Sequence, residues 1–428
     1  MIKAKHIRNI LSNNKQIVNN FSYVTLLEVF ILLAPLITYP YLVRVLGIEN
    51  YGVVITAQVL ASYASKIIDF GSNGVCAKHV SVNRNDKFKL SEIVSSVLSI
   101  RFILWLFCLI IYVVVVLLVP IYRTYITLFL LSYLLTINDV LFPQYFFQGI
   151  ERMKYISIIN ITVKLSFILL IFLLVKDESD MNFVPLLYAV GYAMAGIISM
   201  YIIYAKIGLK LYVPHLNVMI FYAKDSLPIF ATDMICTIKD KLSYFIIGSY
   251  CGMSDVVIYD LGLKINGLLV RPLQIISTVL FPRFAKSRNT NILTKVALVV
   301  ILLTILIVIL TNIFMPCLVK IFIDNPIDLM PLRLFSLAPL FLSVSSFLGF
   351  NFFVAFGYNK YLLYSIIITT IVYILTLLLM LVTNNLGSIY SFIILSLVAY
   401  LAELLYRLFA TYRLIRKERK SIINLNYK

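Results

Sequence analysis

The run Val296-Ala297-Leu298-Val299-Val300-Ile301-Leu302-Leu303-Thr304-Ile305-Leu306-Ile307-Val308-Ile309-Leu310 decides the fold. Only Thr304 interrupts its apolar character, so it has neither the polar alternation of a barrel strand nor the polar face of a surface helix. Tyr361–Val382 reads the same way. In hydrocarbon each unpaired backbone N–H or C=O costs several kcal/mol, so runs of this kind must be helices that satisfy their own backbone. About twenty residues suffice to cross roughly 30 Å of hydrocarbon.

Composition extends this reading to the whole chain. Of 428 residues, 61% are hydrophobic and 13% charged, and the mean hydropathy is +0.97. That is too little polar surface to clothe a water-soluble domain. The periodic runs predict about twelve spans. In the first half they are Phe21–Val43, Tyr51–Phe70, Ile93–Val119, Ile126–Phe147, Tyr155–Val175 and Phe183–Tyr204. In the second they are Leu227–Tyr250, Val256–Phe281, Lys295–Cys317, Leu332–Phe356, Tyr361–Val382 and Ser388–Leu414.

The longest polar interruptions, Ala77–Ser91, Ala205–Ser226 and Pro282–Thr294, are too short for a catalytic domain outside the membrane. The N-terminus lacks the pattern of a cleavable signal peptide. Met1–Asn20 is expected as an interfacial helix, with Ile7, Ile10 and Leu11 inward and Lys3, Arg8 and Lys15 toward headgroups.

Basic residues fall in alternate connections, which gives the orientation. One set holds Lys78, Arg84, Lys87 and Lys89, then Arg152 and Lys154, then Lys206, Lys210 and Lys224, and finally Arg413, Arg416 and Arg419. The other set has few cations and carries Asp177, Glu178, Asp180, Asp324 and Asp328. Both termini are therefore expected in the cytoplasm of a bacterial inner membrane. The +18 net charge reads as this topology signal plus attraction to membrane lipids, not as a nucleic-acid footprint. The five cysteines (Cys76, Cys108, Cys236, Cys251, Cys317) lack ligand spacing and read as small apolar fillers. His6, His79 and His215 are assigned to connecting segments, so neither a metal nor another cofactor is expected.

The halves align on each other at an offset of about 205 residues. Glu28 meets Asp233, Thr38-Tyr39 meets Ser243-Tyr244, Gly47 meets Gly252, Lys66 meets Arg271 and Lys78 meets Arg283. Six spans per copy is even, so the copies share an orientation. Two six-helix lobes related by a pseudo-two-fold along the membrane normal, with a central cavity, are expected. The boundaries are a cytoplasmic segment 1–20, an N-terminal lobe 21–210, a C-terminal lobe 211–414 and a cytoplasmic tail 415–428.

Function is sought in charges that sit where lipid should be, each of which costs roughly 2.5–3.5 kcal/mol at a span centre. Gln58, Ser62, Ser65, Lys66 and Asp69 form one helical stripe in the second span. The seventh span carries Asp233, Thr237, Asp240, Lys241 and Tyr244, and the eighth Asp260, Lys264 and Arg271. Asp139 lies in the fourth span and Lys164 in the fifth. Glu403 and Arg407, four residues apart, read as a structural pair, and Arg101 and Asp255 as snorkelling interfacial charges. Lys66, Lys164, Lys241, Lys264 and Arg271 are the candidate cavity cations, suited to phosphate or pyrophosphate oxygens. Glu28, Asp69, Asp233 and Asp240 would balance them or take a coupling ion. Pro35, Pro40, Pro228 and Pro272 are expected to interrupt their helices.

Tyr39-Pro40-Tyr41-Leu42-Val43-Arg44-Val45-Leu46-Gly47-Ile48-Glu49-Asn50-Tyr51-Gly52 resembles the first-loop signature of the polysaccharide transporter family, the Wzx-type O-antigen flippases. Asp69-Phe70-Gly71-Ser72-Asn73-Gly74 resembles that family's second-helix exit. Phe142-Pro143-Gln144-Tyr145-Phe146-Phe147-Gln148-Gly149-Ile150-Glu151-Arg152-Met153-Lys154 resembles its fourth-helix exit, with Tyr145 where a tryptophan often stands. Val257-Ile258-Tyr259-Asp260 through Phe281-Pro282-Arg283 resembles the eighth helix, and the likeness runs from about residue 17 to 415.

The resemblance implies the multidrug/oligosaccharidyl-lipid/polysaccharide exporter fold and a transporter rather than an enzyme. It implies an undecaprenyl-pyrophosphate-linked oligosaccharide as substrate, moved to the periplasmic leaflet by alternating access with ion coupling. A polysaccharide polymerase and a chain-length regulator are the implied partners. A drug/cation antiporter of the same fold is the alternative, disfavoured by lysines and arginines that rival the acidic residues in the spans. A membrane-embedded polysaccharide polymerase fits less well, because no external loop is long enough to carry catalytic groups.

Overall fold

The structure, a computed structural model, describes residues 15–324 and 326–426. The interfacial helix expected over Met1–Asn20 lies almost wholly outside them. The described chain is helical, with no strand among the described residues.

The first half contains α1 (Lys15–Leu46), α2 (Ile48–Asp69), α3 (Ser72–Val82), α4 (Lys87–Leu118), α5 (Pro120–Thr124) and α6 (Ile126–Tyr133). It continues with α7 (Ile137–Leu141), α8 (Gln144–Gly149), α9 (Met153–Leu174) and α10 (Phe183–Tyr201). The second half contains α11 (Leu216–Tyr250), α12 (Met253–Ser287), α13 (Thr290–Phe322), α14 (Met330–Phe335), α15 (Ala338–Leu348), α16 (Asn359–Val382) and α17 (Ile389–Asn426).

Eleven spans among the described residues are long and apolar enough to cross a membrane. The remaining long helix, α11, coincides with the expected seventh span. Its six charges (Lys224, Asp225, Asp233, Lys239, Asp240 and Lys241) keep it outside that group. Rows of fully apolar side chains point outward, among them Leu169 and Leu173 on α9 and Leu302, Leu306 and Ile313 on α13. A water-soluble surface does not sustain such rows; a lipid-facing one requires them.

Several local expectations need correction. Pro35, Pro40 and Pro228 lie inside continuous helices, because neighbouring groups in a membrane protein can tolerate the lost N–H. The breaks fall elsewhere. Phe70 and Gly71 both adopt left-handed backbone, with φ of 47° and 68°, and separate α2 from α3. The fourth span passes through a 3-10 turn at Leu134–Thr136, and π-helical turns occupy Ile202–Lys206 and Gly349–Val354.

The supposed polar interruptions are also mostly helical. Helix α4 starts at Lys87, capped by the Asp86 carboxylate, which accepts from the Phe88 and Lys89 amides at 2.9 and 3.1 Å. His79 sits inside α3, not in a connection. Charged residues continue these helices past their apolar runs, so a hydropathy reading stops too early.

The chain divides into two compact units, residues 1–238 and 239–428. In the first, Tyr145, Phe146 and Phe147 of α8 pack with Val80 of α3 and Val94 and Val97 of α4. Gly149 lets α8 meet α3 closely: an added Cβ would lie 2.6 Å from Val80 and 2.7 Å from the Ala77 carbonyl. In the second, Phe284, Phe347, Phe352 and Phe353 form the corresponding aromatic core.

Local geometry is consistent with the expected repeat. The second and eighth spans, Ile48–Val82 and Met253–Ser287, both contain 35 residues. Their starts and ends are each 205 apart (253 − 48 and 287 − 82). Each is preceded by a glycine of positive φ, Gly47 at 76° and Gly252 at 111°.

Candidate functional site

The polar stripe of α2 serves three different purposes. Its last member, Asp69, is buried and holds Arg101 of α4 at 2.5 Å. Arg101 is only 1% exposed, which corrects the expectation of a snorkelling charge. Because α4 begins at Lys87, Arg101 lies about four turns inside it and cannot reach the interface.

Every donor face of the guanidinium is used. Nε and Nη2 donate to the Ser72 hydroxyl at 2.9 and 2.7 Å, and Nη1 donates to the Asp139 carbonyl at 2.7 Å. The Tyr145 ring lies 5.2 Å from it. Ser72 in turn donates to the Asp69 carbonyl at 2.6 Å. Arg101 therefore ties the α2–α3 break to α4 and the fourth span, and Asp69 is consumed in that structure.

Lys66 differs. It and Asp233 are each 44% exposed, with the ammonium 3.9 Å from the carboxylate. Lys66 lies in the last turn of α2, just before the Phe70–Gly71 break, and Arg271, 205 residues later, lies within the continuous α12. Arg271 is also exposed and its guanidinium reaches Gln274 at 3.4 Å. A charge on a membrane-spanning helix must face water or a partner, since lipid would exact its desolvation cost.

The upstream stripe residues Gln58, Ser62 and Ser65 line a separate cavity of about 320 Å³ within the first unit. Asn138, Asp139 and Lys164 complete its polar wall, with Tyr188 and Tyr192 beside them. The Ser65 hydroxyl donates to Asp139 at 2.5 Å. Within the first unit Lys164 thus lines the same cavity as Asp139, whereas Lys66 pairs with Asp233.

In the second unit, Lys264 is paired with Asp260 one turn earlier, and Tyr244 donates to the same carboxylate at 2.8 Å. Asp240 lies 3.1 Å from Lys239. Lys241 is partly buried and Glu28 exposed. Glu403 and Arg407 form the expected structural pair at 2.7 Å, reinforced by Ser345 and Ser365. They border a second cavity of about 480 Å³, which Arg271, Gln274 and Asn266 also line. No cluster of metal-ligating side chains occurs among the described residues.

This arrangement of helices defines a class of membrane protein. The inward-facing conformation of a multidrug resistance MATE family transporter of the MOP superfamily is similar, with a TM-score of 0.69 and 12% identity over 91% of this chain and 96% of that one. The lipid II flippase MurJ in its inward closed conformation gives 0.65 and 14% identity over 92% of this chain and 87% of that one. The fold is that of the MOP superfamily.

Residues 17–288 match the family model "Polysaccharide biosynthesis protein", and the chain belongs to that family. A relative from Escherichia coli (strain K12), named "Putative O-antigen transporter", is 25% identical over 362 residues, 82% of this chain and 86% of its own length. A protein of the same name from Shigella dysenteriae is 26% identical over 258 residues, 59% of this chain and 64% of its own.

Proposed function

We propose that this protein is a flippase for an undecaprenyl-pyrophosphate-linked oligosaccharide, the repeat unit of O-antigen or a related surface polysaccharide. It carries that substrate from the cytoplasmic to the periplasmic leaflet of the bacterial inner membrane by alternating access, with both termini cytoplasmic. The observation that carries the reading is the pair of cations Lys66, half-exposed at the end of α2, and Arg271, exposed within α12, which occupy matching positions at the 205-residue sequence offset. Lysine and arginine donate charge-assisted hydrogen bonds to pyrophosphate oxygens, and in an aqueous path through a membrane those bonds replace lost hydration. Family membership supports the glycan part of the substrate. Asp233 balances Lys66, and an anionic substrate would compete with that carboxylate for the ammonium; Lys241, Glu28 and Asp240 are secondary contributors. A polymerase and a chain-length regulator would act on the product.

The test is complementation of a strain lacking the gene. Wild-type protein restores surface polysaccharide; Lys66→Ala and Arg271→Ala do not, at unchanged protein level in the membrane. Normal polysaccharide from both variants would remove these residues from the mechanism. Failure of the wild type to restore it, together with resistance to cationic dyes, would favour a drug antiporter of the same fold.

A further inference from the structure

The cavity inside the first unit has an unusual hydrogen-bond inventory. Gln58, Asn138 and Lys164 line it, and none of their side chains has a protein hydrogen-bond partner among the described residues. The same holds for the hydroxyls of Tyr188 and Tyr192. All five are half-exposed on the wall of this space. Five polar side chains converging on one space suit a polar occupant able to pair with them.

Size and charge narrow the occupant. About 320 Å³ lies at the small end of ligand sites, or holds roughly ten waters at about 30 Å³ each. Lys164 disfavours a bare cation, and Asp139, held by Ser65, disfavours a bare phosphate. Two amides, two phenols, a carboxylate and an ammonium together offer donors and acceptors in every direction, as a ring of hydroxyls requires. Phe167 of α9 stacks on Tyr188, and Tyr188 on Tyr192 with centroids 6.0 Å apart, which holds the two phenol rings in place beside the cavity.

We propose that this cavity binds one uncharged sugar residue, and that it reads the glycan independently of the cations that hold the pyrophosphate. The source of the sugar rests on the flippase reading; the binding site does not. Lys164, expected to hold phosphate, would instead donate to sugar hydroxyls.

The molecule carries its own reporter. Its single tryptophan, Trp105, donates through Nε1 to the Thr136 hydroxyl at 3.0 Å, and Thr136 lines the cavity. Purified protein in nanodiscs would be titrated with glucose, galactose, N-acetylglucosamine and N-acetylgalactosamine, and separately with sodium pyrophosphate. At least one sugar should give a saturable change in Trp105 emission, with half-saturation raised about tenfold or more in Lys164→Met and in Asn138→Leu. Tyr192→Phe, which keeps the ring, should bind with a smaller loss and controls for folding. No saturable response to any of the four sugars overturns the proposal. So does a response unchanged in both variants, or one given by pyrophosphate alone. If the sugar response fails while Lys66→Ala still abolishes surface polysaccharide, only this site is lost and the flippase reading stands. If the sugar response holds while the wild type restores no polysaccharide, the site stands without that reading.

Discussion

Replacing Arg101 by glutamine should be far more damaging than replacing any exposed cation of this protein. The guanidinium is 1% exposed and makes four hydrogen bonds of 2.5–2.9 Å to Asp69, Ser72 and the Asp139 carbonyl. Its removal leaves the Asp69 carboxylate buried without its counter-charge. Breaking one partner out of a buried pair costs about 3–5 kcal/mol, against about 0–1 kcal/mol for an exposed pair. At about 1.4 kcal/mol per decade, this is roughly two to four orders of magnitude in the folding equilibrium.

Dodecyl sulfate titration in mixed micelles, followed by Trp105 emission, measures this directly, because Trp105 stands one turn beyond Arg101 on α4. Arg84→Gln is the internal control: its contact with Glu151 is 3.4 Å long and both partners are about half exposed. In the double variant Asp69→Asn, Arg101→Gln, the uncompensated charge is gone, so part of the loss should return. Two results would refute the reasoning: a cost for Arg101→Gln under about 1 kcal/mol, or a double variant destabilised by the full sum of the singles.

Glu403→Gln should destabilise the second unit in the same assay by about 2–4 kcal/mol, because Arg407 is buried and donates a charge-assisted bond to that carboxylate. A neutral outcome would show that Ser345 and Ser365 suffice. Gly149→Val should prevent accumulation of folded protein in the membrane, since even a Cβ would meet Val80 at 2.6 Å and the Ala77 carbonyl at 2.7 Å; immunoblotting of membrane fractions reads this. In the loop before α14, the Tyr390 hydroxyl donates to Asp328 and the Met330 amide does so as well, which holds that carboxyl below the usual carboxylate range. A depressed folded pKa stabilises above the unfolded value, near 3.9, and the gain is lost as pH falls through the folded value. Tyr390→Phe should therefore lower stability at neutral pH and flatten its decline in acid; unchanged pH–stability curves would exclude the contact.

How much of this was written in the chain depends on which interaction is asked about. The spans and the Glu403–Arg407 pair follow from local rules: helix length against bilayer thickness, and the i, i+4 spacing of one helical face. Arg101 did not follow. Judged by apolar runs, its helix begins at Ile93 and leaves it near an interface; the charged turn from Lys87, capped by Asp86, extends the helix and carries Arg101 inside. The stripe Gln58, Ser62, Ser65, Lys66 and Asp69 was legible as one face, yet neighbouring helices divide it between a cavity, an exposed pair and a buried clamp.

The sequence by itself determined that this protein is a bundle of membrane-spanning helices, because hydrocarbon permits no unpaired backbone. Only the tertiary structure decided the role of each buried charge. A charge in a span must find a partner or water, and which of the two it finds depends on helices distant in sequence. Asp69 found Arg101, 32 residues away, while Lys164 found a cavity.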